Sequence, residues 1–463
     1  MSTTTRTTTR TSTRTTPFWT LARVARALGV AGAYDARPIT GVSTDTRTLR
    51  AGECFVALRG ERFDGHDHLA AAIAAGAAAI VVDDATRVPL LGVPVFEVSD
   101  TLGALGALGR YRREAWGRPV IAVGGSNGKT STKELLKAAL GSRLTVHATI
   151  GNLNNRIGVP MTLLALDDAA DIAVIEAGTN EPGEMAILRE IMRPDVALVT
   201  TVQEEHLAGF GDIDGVMAEE LALCEGVPIA VVPASEPEVV SRAGAKALRT
   251  VTAGLGEGDR HATASGLNAD GRGWLEWDGH RVEIPLPGTH NLRNAALVLA
   301  VASEFGVNPM DAAAGIARMP QPPMRSDVAP LGSALLVTDC YNSNPGSARA
   351  AIELLREVAQ GRQRVAVLGT MRELGDASER AHREVAEAAL ASGAELVCGI
   401  GEFGPALQRL GAPADRVLIA NDVDDLWPQL SPRLAPDAVI LLKASRGVRL
   451  ERLLPLLTSW ATT

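Results

Sequence analysis

The stretch Val120-Ile-Ala-Val-Gly-Gly-Ser-Asn-Gly-Lys-Thr-Ser131 constrains this chain more than any other. It reads as an apolar strand, a glycine-rich turn, and Lys129-Thr130 at a helix start. That layout aims backbone N–H groups and the positive end of a helix at one spot, as a phosphate-cradling loop requires. Lys129 adds a point charge, and the Thr130 hydroxyl suits Mg²⁺. Gly125 and Gly128 let the backbone turn and approach a phosphate where a Cβ would obstruct it. Ser126, Asn127 and Ser131 complete the loop. The common spacing G-x-x-x-x-G-K-[ST] is not met, because the residue five before Gly128 is Val123, so this loop is one residue shorter. The bland alternative, an ordinary strand-turn-helix junction, fits poorly with Gly-Lys-Thr after so clean a strand.

The rest of the chain alternates short apolar strands with helices, and the fold class expected is α/β in three domains. At 463 residues it is too long for one core. Residues 1–16 are almost all Thr, Ser and Arg and read as a disordered tail or a misassigned start in preference to a transit peptide. Residues 17–105 read as a small α/β binding module. Residues 106–318 carry the phosphate loop and further apolar strands at 172–176, 196–200 and 227–232, as expected of a parallel sheet covered on both faces. An Asp278-Gly279 hairpin and a helix from Asn291 to Glu304 follow. The Pro-rich segment Pro320–Met324 reads as a linker, and residues 319–463, with five more strands, read as a Rossmann-like domain.

A net charge of −9 argues against general nucleic-acid binding. No apolar run reaches the length of a membrane span. Cys54, Cys224, Cys340 and Cys398 form no C-x-x-C and read as reduced thiols of a cytoplasmic protein.

Polar residues gather where strands end, the edge at which open α/β sheets bind ligands. Glu176 closes an apolar strand. It is either a carboxylate hydrogen-bonded to loop amides or a Mg²⁺ ligand facing the phosphate loop. His206, past the next strand, is either structural or a second ligand. Asn152, Asn154 and Asn155 form an amide cluster suited to a peptide or sugar, or to turn chemistry. Asn291 and Asn294 lie one turn apart, one placed to cap the helix and the other to read a base edge. Asp339-Cys-Tyr-Asn-Ser-Asn-Pro345 and Lys443-Ala-Ser-Arg446 sit at strand ends in the last domain.

These segments together resemble the Mur ligases, the ATP-dependent amide-forming enzymes of peptidoglycan precursor synthesis. The likeness covers about residues 38 to 455. It rests on Gly41-Val-Ser-Thr-Asp-Thr-Arg47, Phe55–Asp67, Gly151–Pro160, Glu176–Glu184, Asp339–Pro345, Leu368–Gly375 and Leu442–Arg446, and on the short phosphate loop. Within the family the chain looks like the ligases that add D-Ala-D-Ala to UDP-MurNAc-tripeptide. The resemblance implies ATP and Mg²⁺ as cofactors and an acyl-phosphate intermediate. It implies that Lys129 holds the transferring phosphoryl group, that Thr130 binds one Mg²⁺, and that Glu176 and His206 bind a second. By the same resemblance Asn291 and Asn294 contact adenine, Arg325 reaches the phosphates, and Asp339 contacts nucleotide. Ser43, Asp45 and Arg47 belong to the uridine-nucleotide module. Asn152, Asn154, Asn155, Thr179 and Asn342 lie in substrate segments, and Lys443, Ser445 and Arg446 line the dipeptide and acyl substrate. A monomer is expected. Two positions depart from the pattern. Glu220 stands where the family usually has a lysine that becomes carbamylated, and either replaces the carbamate toward Mg²⁺ or is a solvated helix acid. Thr370 stands where an acid is more usual.

Two other readings stay open at this point. One is a relative that adds a diamino acid to the muramyl dipeptide or glutamates to folate. The other is a P-loop ATPase or nucleotide-sensing scaffold with no ligase activity.

Overall fold

The computed structural model describes residues 17–60, 63–89, 92–320 and 324–462. The tail 1–16 and residues 321–323 of the Pro-rich linker lie outside them. The chain forms two compact units, Met1–Ala115 and Trp116–Thr463.

The first unit holds a four-stranded parallel sheet in the order Val42–Ser43, Cys54–Val56, Ala79–Val82, Val95–Glu97. Its first helix spans Leu21–Leu28 and starts there because Thr20 takes the N-cap and accepts the Arg23 N–H at 3.2 Å. It stops at Gly29, whose φ of +66° closes the turn at no Cβ cost. A longer helix, Thr101–Trp116, leads toward the phosphate-loop strand.

The second unit is built on two large sheets and a small antiparallel one. The larger has seven parallel strands in the order Val146–Ala148, Ile172–Glu176, Val120–Gly124, Val196–Val199, Ile229–Pro233, Thr250–Leu255, Arg260–Ala262. Its strand Val120–Gly124 is buried throughout. Ile121 and Val123 face a core with the helices Lys129–Leu140 and Thr289–Glu304, while Val120 and Ala122 face a second core with the helix Glu184–Met192. A strand with helices on both faces must be apolar on both, which is why its sequence shows no alternation. The strand that comes first in the chain lies in the middle, between Ile172–Glu176 and Val196–Val199. Connections leave it in both directions, so a crevice opens at its C-terminal end. The phosphate loop begins there.

The other large sheet of this unit runs Asp327–Leu331, Ala334–Asp339, Val439–Lys443, Arg364–Gly369, Leu396–Ile400, Val417–Ala420, with only the first pair antiparallel. A three-stranded antiparallel sheet, Ala264–Leu267, Arg272–Trp277 and His280–Pro287, turns at Asp278-Gly279 as its sequence predicts. All four cysteines are buried and free.

Candidate active site

The phosphate loop is tied down from both sides. Gly125 sits at φ +111° and Gly128 at φ +84°, and a Cβ on Gly128 would meet Asn294 Nδ2 at 2.7 Å. Thr200 donates its hydroxyl to Gly124 O at 3.2 Å and Asn127 O at 2.5 Å, and Ser126 donates to Gln203 O at 3.0 Å. Asn127 donates to Gln203 Oε1 at 3.0 Å and accepts from Asn344 Nδ2 at 3.0 Å, so a residue of the last sheet's domain touches the loop. Ser131 is buried in the first turn of the helix.

Lys129 folds back so that Nζ donates to Gly125 O. Burial opposes its charge, but Glu205, Glu220 and Glu176 together hold its pKa above the usual lysine value. Glu205 Oε1 lies 3.9 Å from Nζ. Burial, against the pull of Lys129 and with the push of Glu220, raises the Glu205 carboxyl to about 8. The sequence reading missed Glu205. Its signal was the acid pair Glu204-Glu205 directly before His206.

Glu176 is 2% exposed. Its Oε1 accepts from Thr130 Oγ1 at 3.1 Å and from Asn154 Nδ2 at 2.9 Å. Its Oε2 is buried without a hydrogen-bond partner and faces Lys133 Nζ at 3.6 Å. A hydroxyl beside a carboxylate with a spare oxygen is a hard-oxygen donor set, and it fits Mg²⁺. His206 and Glu220 make contacts of their own beside it. Among the described residues no three His, Cys, Asp or Glu side chains converge as a metal cage needs. Glu220, 1% exposed, accepts the Gly125 N–H at 2.6 Å and faces Glu205. Its short side chain ends at the loop's backbone, and burial raises its pKa. His206, at φ +47°, turns Nδ1 toward Glu373 Oε2 at 2.7 Å in the last domain. Burial lowers its pKa against the pull of Glu373.

The asparagines separate by role. Asn155 does turn chemistry: its Oδ1 accepts the Ile157 and Gly158 N–H groups at 3.2 and 2.9 Å. Asn154 joins Glu176, and Asn152 is exposed. Neither Asn291 nor Asn294 caps its helix. The helix starts at Thr289 with Gly288 at the N-cap, which puts both amides inside the first turns. Asn291 donates to Pro287 O at 2.8 Å, and Asn294 lies against Gly128, beside the phosphate loop. Thr179 is buried with its hydroxyl unpartnered.

In the last domain Lys443 Nζ reaches Asp339 Oδ2 at 3.0 Å and Asn342 O at 2.8 Å. Ser445 Oγ donates to Ser343 O at 3.4 Å and accepts the Arg372 N–H at 3.0 Å. Arg325 stacks on Tyr341 at 4.2 Å, and Arg446 lies 5.5 Å from the same ring. Tyr341 was not singled out from the sequence, although it lies inside the Asp339–Pro345 segment. Thr370 Oγ1 accepts the Glu402 N–H at 3.1 Å. In the first unit Ser43 donates to Asp45 O at 3.2 Å. Arg47 pairs with Asp45 at 2.6 Å, and its hydrogen bonds hold that carboxyl down at about 2.

Models of three domain families match in sequence: the Mur ligase family catalytic domain over residues 38–113, the Mur ligase middle domain over 123–302, and the Mur ligase glutamate ligase domain over 324–446. The UDP-N-acetylmuramoyl-tripeptide–D-alanyl-D-alanine ligase of Bacillus subtilis is 34% identical over 91% of this chain and 93% of its own. That of Escherichia coli is 36% identical over 89% and 92%. A crystal structure of MurF from Acinetobacter baumannii, 30% identical, superimposes with a TM-score of 0.87 over 95% of this chain and 99% of its own. MurF from Thermotoga maritima, solved in complex with ADP, is 28% identical and gives a TM-score of 0.80 over 91% and 98%. Sequence, architecture and phosphate loop lead to one conclusion: the chain belongs to the Mur ligase family.

Proposed function

We propose that the chain is an ATP-dependent amide ligase joining D-Ala-D-Ala to UDP-MurNAc-tripeptide, a step of peptidoglycan precursor synthesis. The observation that carries the reading is Lys129, held among three acids at the mouth of a short phosphate loop in the sheet's central crevice. The names of the relatives supply the substrates.

The tripeptide carboxylate takes the γ-phosphoryl group of ATP, which leaves as ADP. The D-Ala-D-Ala amine then attacks the acyl carbon, gives up a proton, and phosphate departs. Such chemistry asks the protein mainly for positioning and charge neutralisation. Lys129 meets the phosphoryl charge, and the N–H groups of the loop cradle the phosphates. Asn291 and Asn294 hold the base, and Arg325 reaches the phosphates from its stack on Tyr341. Lys443, Ser445 and Arg446 orient the acyl substrate and the dipeptide, with Asp339 and Asn342 fixing Lys443. Thr179 and Asn152 offer polar atoms to the tripeptide, and Ser43, Asp45 and Arg47 meet the uridine nucleotide. Thr130 and Glu176 would hold Mg²⁺, which when bound neutralises phosphate charge. His206 and Glu220 act beside that pair: His206 docks Glu373, and Glu220 holds Gly125. Residues 17–105, 106–318 and 319–463 serve as nucleotide-sugar, ATP and ligation domains of a cytoplasmic monomer. Among the described residues no helix is long and apolar enough to cross a membrane.

Measuring ADP release with each acceptor tests the reaction. ADP should appear only when muramyl tripeptide and D-Ala-D-Ala are both present. Turnover without an acceptor would replace this reading with an ATPase scaffold. Supplying diaminopimelate- and lysine-containing tripeptides in turn identifies the third residue.

A further inference from the structure

His290 has no part in the chemistry above, but it occupies an unusual position. It lies in the first turn of the helix Thr289–Glu304, next to Asn291. Its ring folds back over Gly288, whose φ is +91°, and a Cβ there would meet His290 Cε1 at 2.7 Å. Space for the ring therefore depends on a glycine in a conformation that other residues rarely adopt.

The ring's Nε2 has two partners. The Asn291 amide donates to it at 3.2 Å, and the Ser326 hydroxyl lies 3.2 Å away. Because an amide nitrogen only donates, Nε2 is an acceptor and the ring proton sits on Nδ1. Ser326 therefore donates as well. One neutral imidazole nitrogen thus joins the proposed adenine-binding turn to the start of the last domain.

Ser326 is buried and directly follows Arg325. Met324 and Ser326 have φ of +59° and +48°, so both neighbours of Arg325 are left-handed without being glycine. Such residues are strained and persist where their surroundings impose the shape. The Tyr341 ring orients the guanidinium of Arg325, but the backbone of this segment needs an anchor of its own. Among the described residues the side-chain hydrogen bond recorded for Ser326 is the one to His290. Burial holds the ring's pKa down at about 4, with Asp339 pulling it up and Lys443 and Arg293 pushing it further down. The acceptor is therefore free at neutral pH.

We propose that His290 is a positioning residue for Arg325: through Ser326 it fixes the backbone on which that arginine is carried toward the ATP phosphates. The inference rests on the ligase reading, and it links adenine recognition at Asn291 to phosphate recognition at Arg325 through a single ring.

The test is steady-state kinetics of ADP release, with thermal melting to verify the fold. The variants are S326A, H290A, H290Q, the double variant H290A/S326A, and S326A in an R325A background. Losing the hydrogen bond should lower kcat by about fivefold to tenfold. S326A and H290A should each show this, with KM for D-Ala-D-Ala unchanged. H290Q, whose carbonyl can accept from Ser326, should stay within about twofold of the starting enzyme. The double variant should be no worse than either single one, and S326A should have no further effect once Arg325 is gone. Additive losses in the double variant, or a full S326A effect in the R325A background, would overturn the inference. So would S326A turning over normally. If the unmodified enzyme released no ADP with the three substrates, the ligase reading would fall instead.

Discussion

Glu220 is the position where the phosphate loop can be loosened without touching its own residues. Its carboxylate accepts the Gly125 N–H at 2.6 Å, and it is 1% exposed. A hydrogen bond to an ionised acceptor contributes about 1.5–3 kcal/mol, and a buried N–H left without a partner costs a comparable amount. Each 1.4 kcal/mol is a factor of ten. Glu220→Ala should therefore reduce kcat/KM for ATP by about 10- to 100-fold. Part of the loss should appear as a higher KM, because the loop that binds the phosphates is no longer fixed. Glu220→Gln keeps an acceptor oxygen for Gly125 and should lose less than about fivefold. The assay is coupled ADP release against ATP and, separately, against Mg²⁺. A Mg²⁺ ligand would respond differently, since an amide is a far poorer ligand than a carboxylate. The reasoning is refuted if Gln proves as damaging as Ala, or if Glu220→Gln raises the Mg²⁺ requirement about tenfold while leaving the KM for ATP alone.

Gly128→Ala should abolish ATP binding, measured by calorimetry, because the position is left-handed and a Cβ meets Asn294 at 2.7 Å. Chelating divalent cations should stop ADP release, and added Mg²⁺ should restore it without any change in melting temperature. His290 should contribute a pH dependence to stability. Its folded pKa of about 4 lies below the unfolded 6.5, so the unfolded chain binds more protons between those values. Stability should thus fall as pH drops from 6.5 toward 4, by up to about 2 kcal/mol for this partly buried ring, and urea titrations of H290Q should show the smaller slope. Glu373→Gln should change stability by less than about 1 kcal/mol, because the Glu373 end of its pair with His206 is 65% exposed.

The parts of the molecule governed by local pattern were legible in the sequence. Fully apolar runs such as Val120–Gly124 and Ile172–Glu176 mark buried parallel strands, and the Asp278-Gly279 turn marks its hairpin. The strands Thr250–Leu255 and Arg260–Ala262 escaped notice because they are the last two of the sheet, the second of them its edge, where partial exposure admits threonine, arginine and histidine. Asn291 and Asn294 were found by spacing but misplaced by the cap, because Gly288 leaves no side-chain signature. The contacts that decide the site are long-range. Glu220 meets Gly125 across 95 residues, and Asn344 meets Asn127 across 217. His206 meets Glu373 across the domain boundary. Nothing local in the sequence pairs them.

The strand order also sets a timetable for the nascent chain. Val120–Gly124 is the first strand of its sheet to be made, but its second flank, Val196–Val199, follows some 75 residues later, the separation at which Val120 N–H meets Asp195. Glu220, the buried carboxylate that holds the loop's backbone, is 95 residues downstream of Gly125. A parallel sheet closed by such distant pairings forms slowly. A chain stalled on the ribosome before Glu220 emerges carries the whole phosphate loop without the carboxylate that clasps it. Translation therefore has to pass that point before ATP can act as a folding ligand, stabilising the domain by mass action.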